Sequence, residues 1–231
     1  MPELTRPDTQ YHYNDQHRYH RLDGPAIEWR NGDKEWWING RRHREDGPAI
    51  ERSNGDKEWW REGLHHREDG PAFEFANGNK EWWINNKRHR VGGPAILRVN
   101  GDEYWYQDNR IHRLDGPAAN QSGTISWYKE GRYHREGGPA ITYPDGTKHW
   151  IIEGNHHRLD GPAIESSDGN RHWFINGQQI DVDNLKSFKA FNRKIYITCR
   201  SCGLKSDWIK GTSKRSFVCL PCRPKLELNT I

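Results

Sequence analysis

The sequence predicts a mostly β fold: an elongated antiparallel array of about seven β-hairpin units, then a short capping helix and a small cysteine-stapled module. Three observations carry this. His-Arg-x-x-Gly-Pro-Ala occurs at His20, His43, His66, His89, His112, His134 and His157, in steps of 23, 23, 23, 23, 22 and 23 residues. A fixed period of this size marks stacked supersecondary units that bury a core only against their neighbours. Each unit also carries two turn dipeptides. Finally, hydrophobic residues make up only 32% of the chain while Trp reaches 12, and mean hydropathy is −1.17. A thin array stapled by large aromatic side chains fits these figures better than a thick layered core.

The first unit, residues 23–45, sets the pattern. Asn31-Gly32 and Asn39-Gly40 each read as a two-residue type I′ turn, because that turn needs positive φ at both central positions. The reading predicts two short strands and two turns per unit. The Trp-Trp pair at Trp36-Trp37 recurs as Trp59-Trp60 and Trp82-Trp83, then as Trp followed by another bulky residue. Neighbouring residues on a strand face opposite sides, so one member should stack into a ladder and the other should cover the far face. Ala26 and its six copies never vary, which predicts close backbone approach. Gly24-Pro25 and its copies predict a special φ followed by a strand start or edge.

The ends need caps. Tyr11-His12-Tyr13 before Asn14-Asp15 reads as a half-unit closing the first end. At the other end, Asp183 is placed to cap a short helix through Phe191, with Leu185 and Phe188 facing the last unit. The domain reading is therefore 1–180 for the array and its half-unit, 181–194 for the helix and linker, and 195–231 for the cysteine module. Open array edges leave room for self-association.

Trp37-x-x-Gly40-x-x-His43, then Gly47, Gly55 and Trp60, resembles the MORN repeat, a 23-residue hairpin unit. The His-Arg-x-Asp-Gly-Pro-Ala form is similar to arrays of bacteriophages, giant viruses and some antitoxin-like bacterial proteins. The resemblance covers residues 11–180, with Arg44 and its copies standing where the MORN pattern usually has Gly. It implies a binding or scaffolding role, with no catalytic residues to carry over.

The seven His-Arg pairs have two readings. His43, Arg44, His66, Arg67, His89 and Arg90, with Trp36, Trp59 and Trp82, form first of all an architectural ladder. Each Arg would pair with a turn Asp such as Asp46 or Asp69, and each His would donate to a loop carbonyl. The alternative is a basic stripe for phosphate or nucleic acid, with bases stacked on exposed Trp. Asp is absent at Gly92 and Gly137, so the pairing is not obligatory. Glu35, Glu58 and Glu81 give way to Tyr104, Ser126, His149 and His172, which reads as drift at a solvated position or as a change of docking surface.

All four cysteines lie in Cys199-x2-Cys202-x16-Cys219-x2-Cys222. Two Cys-x2-Cys knuckles suit a closed, structural Zn²⁺ site of four thiolates, which supplies folding energy to a segment too short for a core. The surrounding residues resemble the zinc ribbons of phage and nucleic-acid-handling proteins. Residues 186–231 carry eleven Lys/Arg against Asp207 and Glu227, a net +9, whereas 1–185 is net −5. Arg200, Lys205, Trp208, Lys210, Lys214, Arg215 and Arg223 are the candidate contacts to nucleic acid or a second protein, within residues 195–225.

Nothing in the chain reads as a Gly-rich phosphate loop, Gly-x-Ser-x-Gly or His-Glu-x-x-His, and the available His and Asp are repeat elements. The expectation is a non-enzymatic, cytoplasmic binding protein (host cytoplasm if viral), without a membrane partner. A protein docks on the array, and nucleic acid or a second protein meets the ribbon. The alternatives are nucleic-acid binding by both modules, neutralisation of a toxin, and, most remotely, a metal-dependent nuclease. If the cysteine module is a separate zinc-stapled unit, a strong chelator should unfold only residues past about 195. Hydrogen exchange before and after metal removal checks this, and a melt of the whole chain would contradict it.

Overall fold

The structure, a computed structural model, describes residues 8–180 together with two short C-terminal strands, Tyr196–Thr198 and Lys205–Asp207. The described chain is built from β-strands, most of them two residues long. The expected helix over 183–191 and all four cysteines lie outside the described residues. No helix among the described residues is long and apolar enough to cross a membrane.

Each internal unit contains two hairpins and four strands, not the two strands expected. In the first unit, Ile27–Glu28 pairs with Lys34–Glu35, and Trp37–Ile38 pairs with Arg41–Arg42. The first hairpins of all units join edge to edge in one 16-stranded antiparallel sheet that starts at Gln10–Tyr11 and ends at Gln178–Ile180. The second hairpins form a parallel row of separate two-stranded ladders. Single bonds from each turn to the strand of the preceding hairpin stitch that row together, such as Gly63 N–H to the Arg42 carbonyl at 2.9 Å.

The break between the two hairpins falls at the first Trp of each pair. Trp36 N–H donates to the Ala49 carbonyl of the next unit at 2.8 Å, and its own carbonyl accepts from His43 N–H at 3.1 Å. The following unit thus pulls the strand out of line. In the last unit no such alanine follows among the described residues, and Arg171–Ile175 runs through Trp173 as one uninterrupted strand. Ala49 is fully buried at this junction, like the other six alanines, because any larger side chain would hold the two backbones apart.

The turns differ from the expectation in an informative way. All the second turns, from Asn39-Gly40 to Asn176-Gly177, have positive φ at both residues and are type I′. At six of the first turns only the Gly is left-handed: Gly32 has φ +95° while Asn31 does not. Trp29 N–H donates to Asp33 O and Gly32 N–H to Trp29 O, the three-residue loop with a Gly bulge. The Asn31 side chain completes it by accepting Asp33 N–H at 3.0 Å. The exception is Ser122-Gly123, where both φ are positive and Gln121 pairs directly with Thr124. The unit that is one residue short has therefore exchanged a three-residue turn for a two-residue one. Register is kept because the deletion falls wholly inside the loop.

The half-unit at the first end forms as expected. His12 N–H donates to the Ala26 carbonyl, the bond Trp makes elsewhere, and Tyr11, Tyr13 and Tyr19 cluster against Trp29 and Trp37.

Candidate functional site

The repeated Arg is a staple between units. Arg44 lies with Cζ 4.1 Å from the centre of the Trp36 ring, and its other side rests on the Gly47-Pro48 loop of the next unit. Nη1 donates to the Pro48 carbonyl at 3.2 Å and Nε to Asp46 Oδ1 at 2.9 Å. Nη1 also reaches Glu51 Oε1 at 3.0 Å. The Trp stack recurs at Arg67, Arg90, Arg113, Arg135 and Arg158 with Cζ 3.7–4.0 Å from the ring centre. At the first end Arg21 meets the His12 ring instead, Nη1 to Nε2 at 3.0 Å. The bond to the Pro carbonyl is present in all seven copies.

This explains the invariant Gly differently from the sequence reading. Gly47 does not have positive φ. It is Gly because a Cβ there would stand 3.0 Å from Arg44 Cζ, and at Gly70 only 2.7 Å from Arg67 Cζ. The Asp that precedes this Gly is optional. Its hydrogen bond from Arg44 holds the Asp46 carboxyl below the usual carboxylate range, but the side chain is 84% exposed, and such a pair adds little stability. Arg90 and Arg135 lack it, because Gly92 and Gly137 stand there, and keep both the Pro bond and the Trp stack.

The repeated His is a second staple, of opposite polarity to the one expected. His43 Nδ1 accepts the backbone N–H of Glu62, in the next unit's turn, at 3.2 Å. Equivalent bonds join His20, His89, His112, His134 and His157 to the following turn. At His66 the partner is the Asn85 side-chain oxygen, at 2.8 Å. Apart from the one met by His66, each of these turns thus sends two N–H groups back to the preceding unit, one to the His ring and one to a backbone carbonyl, such as Glu62 N–H to His43 and Gly63 N–H to the Arg42 carbonyl. No group of three or more His, Cys, Asp or Glu is placed to hold a metal among the described residues.

Trp36, Trp59 and Trp82 are half-buried beneath their guanidinium caps. The second Trp row lies between the two hairpin rows and is interleaved with residues that the sequence reading did not single out. Arg42 sits between Trp37 and Trp60, 4.9 and 5.0 Å from the ring centres, and Arg88 between Trp83 and Tyr106. His65 is 3.5 Å from the Trp60 ring centre and 5.6 Å from that of Trp83.

The Glu position is not solvated. Glu35 is only 4% exposed, and its carboxylate accepts from Trp29 Nε1, Trp37 Nε1 and Arg42. Glu81 is equally enclosed, with Trp83, Arg88 and Arg98. Burial works against the Glu58 carboxylate, but hydrogen bonds from His65 and Trp60 and the nearby Arg52 charge hold its carboxyl below the usual range. Glu disappears at Tyr104, and the basic partner seven residues later disappears with it, at Ile111. That paired loss was the signal for residues 42, 65 and 88. Further on the core holds Tyr128 against Tyr133, then His149 against His156, Nδ1 to Nε2 at 3.1 Å.

What varies from unit to unit on the His-Arg side is the residue after Arg: Leu22, Glu45, Glu68, Val91, Leu114, Glu136 and Leu159. The apolar ones are exposed, Val91 by 83% and Leu114 by 74%. Along the His-Arg side the array thus displays a changeable side chain in each unit on a constant frame.

The proposed metal ligands Cys199, Cys202, Cys219 and Cys222, and the candidate contacts Arg200, Trp208, Lys210, Lys214, Arg215 and Arg223, lie outside the described residues. Of that region, Tyr196–Thr198 pairs antiparallel with Lys205–Asp207, Thr198 opposite Lys205. This register puts Cys199 and Cys202 within one six-residue connection. No protein-family model matches the chain, and no curated protein does.

Two predictions follow from this geometry. Gly70→Ala should displace the Arg67 guanidinium and cost about 1–3 kcal/mol in a urea melt, as overpacking does; an unchanged midpoint would contradict the staple. The second concerns His149 and His156. Burial lowers both pKa values, and the His156 charge lowers that of His149 further. A folded pKa below the unfolded value near 6.5 means that their neutral-state packing is fully in place above about pH 6.5. It is lost as pH falls through the folded values. The melting temperature of the native chain should therefore fall on acidification from pH 7.5 to 5 more than that of His149→Phe/His156→Leu.

Proposed function

We propose that this protein is a non-enzymatic scaffold whose array engages a protein partner and whose basic C-terminal module holds a structural zinc and contacts nucleic acid. The observation that carries the reading is the division of labour within each unit. The His, Arg and Trp side chains that could do chemistry are used as staples or stacked under them. The position after each Arg is free to vary and faces solvent. A constant frame with variable exposed side chains in each unit is how repeat arrays present a recognition surface.

The zinc reading rests on the chemistry of the donor set and on the hairpin around it. Cys199 and Cys202 fall within the six residues that separate the paired Thr198 and Lys205, and Cys219-x2-Cys222 supplies the second knuckle. Zinc there would fix the fold of the segment and leave no open coordination position. Its +9 charge, with Trp208 between basic residues, suits a phosphate backbone and one stacked base. The array, at −5, suits a protein rather than a polyanion. The resemblance to phage and giant-virus arrays extends the proposal to a partner in a host defence or regulatory complex.

The test is a nucleic-acid titration of zinc-loaded protein at two salt concentrations, beside Lys210→Glu/Lys214→Glu/Arg215→Glu. Binding should fall steeply with salt and disappear in the variant. Binding that survives the triple substitution would move nucleic acid onto the array, and no binding at low salt would leave only the protein-directed role. Crosslinking of the intact chain to its partner tests the array half.

A further inference from the structure

Five of the seven Arg staples have their Nε filled by an Asp of the following unit, at 2.8–3.0 Å. Two do not. At Arg90 and Arg135 the Asp is replaced by Gly92 and Gly137. The second carboxylate is missing there too: Leu97 and Thr142 stand where Glu28, Glu51, Glu74 and Glu165 reach the guanidinium in other units. The guanidinium itself has not moved. Arg90 still donates to Pro94 O at 3.1 Å and lies 3.8 Å from the Trp82 ring centre; Arg135 donates to Pro139 O at 3.1 Å and lies 4.0 Å from that of Trp127. What remains is the same rigid fork with its carboxylate removed. Burial lowers the pKa of Arg90, as expected for a guanidinium with no anion beside it.

The place left by the Asp is open. A Cβ built on Gly92 or Gly137 meets nothing within 4 Å. Both glycines are left-handed, at φ +74° and +73°, whereas none of the five Asp residues they replace has positive φ. The surface beside the first fork is apolar: Val91 on one side and Leu114 one unit along, where Glu45 and Glu68 stand in earlier units.

We propose that the Arg90 and Arg135 forks are carboxylate-binding sites that receive acidic side chains of a partner protein, with Val91 and Leu114 seating an apolar residue next to the first. The vacated group was a carboxylate, and a planar guanidinium held on an aromatic face offers paired donors to another. The forks are two units apart, about 19 Å at four strand spacings of about 4.8 Å. An extended acidic-apolar segment of about six residues spans that distance. Between and beside them Asp115 and Glu136 repel a continuous polyanion, and Val91 and Leu114 give it nothing to bind. The chain's own C-terminal region, net +9, is the wrong sign to fill them.

This inference rests on the reading of the array as a protein-binding surface and narrows it to one chemistry. The experiment follows the arginine Nε–H resonances of the full-length protein as an N-acetylated, C-amidated Leu-Glu-Leu peptide is added. Its Leu-Gln-Leu counterpart, inorganic phosphate and oligothymidylate are titrated in parallel. Arg90 and Arg135 should shift with the Glu peptide, at roughly tenfold or more lower concentration than with the Gln peptide. Arg44 and Arg67, whose forks are full, should not shift. Gly92→Asp/Gly137→Asp supplies an internal carboxylate and should abolish the response; the neutral peptide decides the question whether or not that variant folds. Equal response to both peptides, no response at millimolar peptide, or a response to phosphate or oligothymidylate alone would each overturn the proposal. A crosslinked partner retained in full by a folded Gly92→Asp/Gly137→Asp protein would remove the forks and leave the partner reading. Peptide binding at the forks without any crosslinked partner would do the reverse.

Discussion

The structure depends on an arginine held between a tryptophan and the loop of the next unit. Arg44 touches Trp36 on one side and Gly47-Pro48 on the other, and that contact alone accounts for four of the repeated residue types. Trp provides the π face, Arg the charge, Gly the space for the guanidinium, and Pro a carbonyl aimed at it. A cation on an aromatic face is worth about 0.5–2 kcal/mol, more as it is withdrawn from water. Repeated at each junction, it makes the interface between units the cooperative element of a fold in which no unit has a core of its own. The His ring seals the same junction from the other hairpin row by accepting a turn N–H.

A second constraint shapes the hairpins. Two-residue strands hold little by themselves, so their backbone groups are satisfied across units. Ala95 N–H donates to the Tyr104 carbonyl of its own unit while its carbonyl accepts from Trp82 N–H of the previous one, as the Ala49 carbonyl does from Trp36. The strand breaks at Trp36 because of that second bond and runs straight at Trp173, where no following alanine is described. The layer between the rows tolerates large changes in chemistry as long as it stays matched. Glu35 with Arg42 and His149 with His156 occupy equivalent places, and Tyr128 packs on Tyr133 in the same layer. Glu35 and Arg42, like His149 and His156, are seven residues apart and meet across the type I′ hairpin, whereas Tyr128 and Tyr133 are direct cross-strand partners five residues apart.

With the stapling residues occupied, recognition is left to the exceptions. The constant frame makes them visible: a fork without its carboxylate at Arg90 stands out because five others are full. On the reading proposed above, such an array binds through its departures from the repeat, in the few positions that do not serve the junctions. The basic cysteine module adds a charge opposite in sign to that of the array, which is the basis for proposing two unlike partners.

The period of the sequence by itself determined the array, its unit boundaries, the place of each turn and the half-unit at the first end. Those features are local or strictly repeated, and Asn-Gly, Gly-Pro and Trp-Trp carry their own backbone preferences. Only the tertiary structure decided the rest. The division of each unit into two hairpin rows comes from a bond to the next unit. The bulged turn at Asn31-Gly32 against the type I′ turn at Ser122-Gly123 depends on how many residues the strand pairing leaves over. The burial of Glu35, a charged residue in a polar sequence, follows from the two indole N–H groups and the arginine that converge on it. The reason for Gly47, space for a neighbour's guanidinium, lies in contacts between units that no single unit encodes.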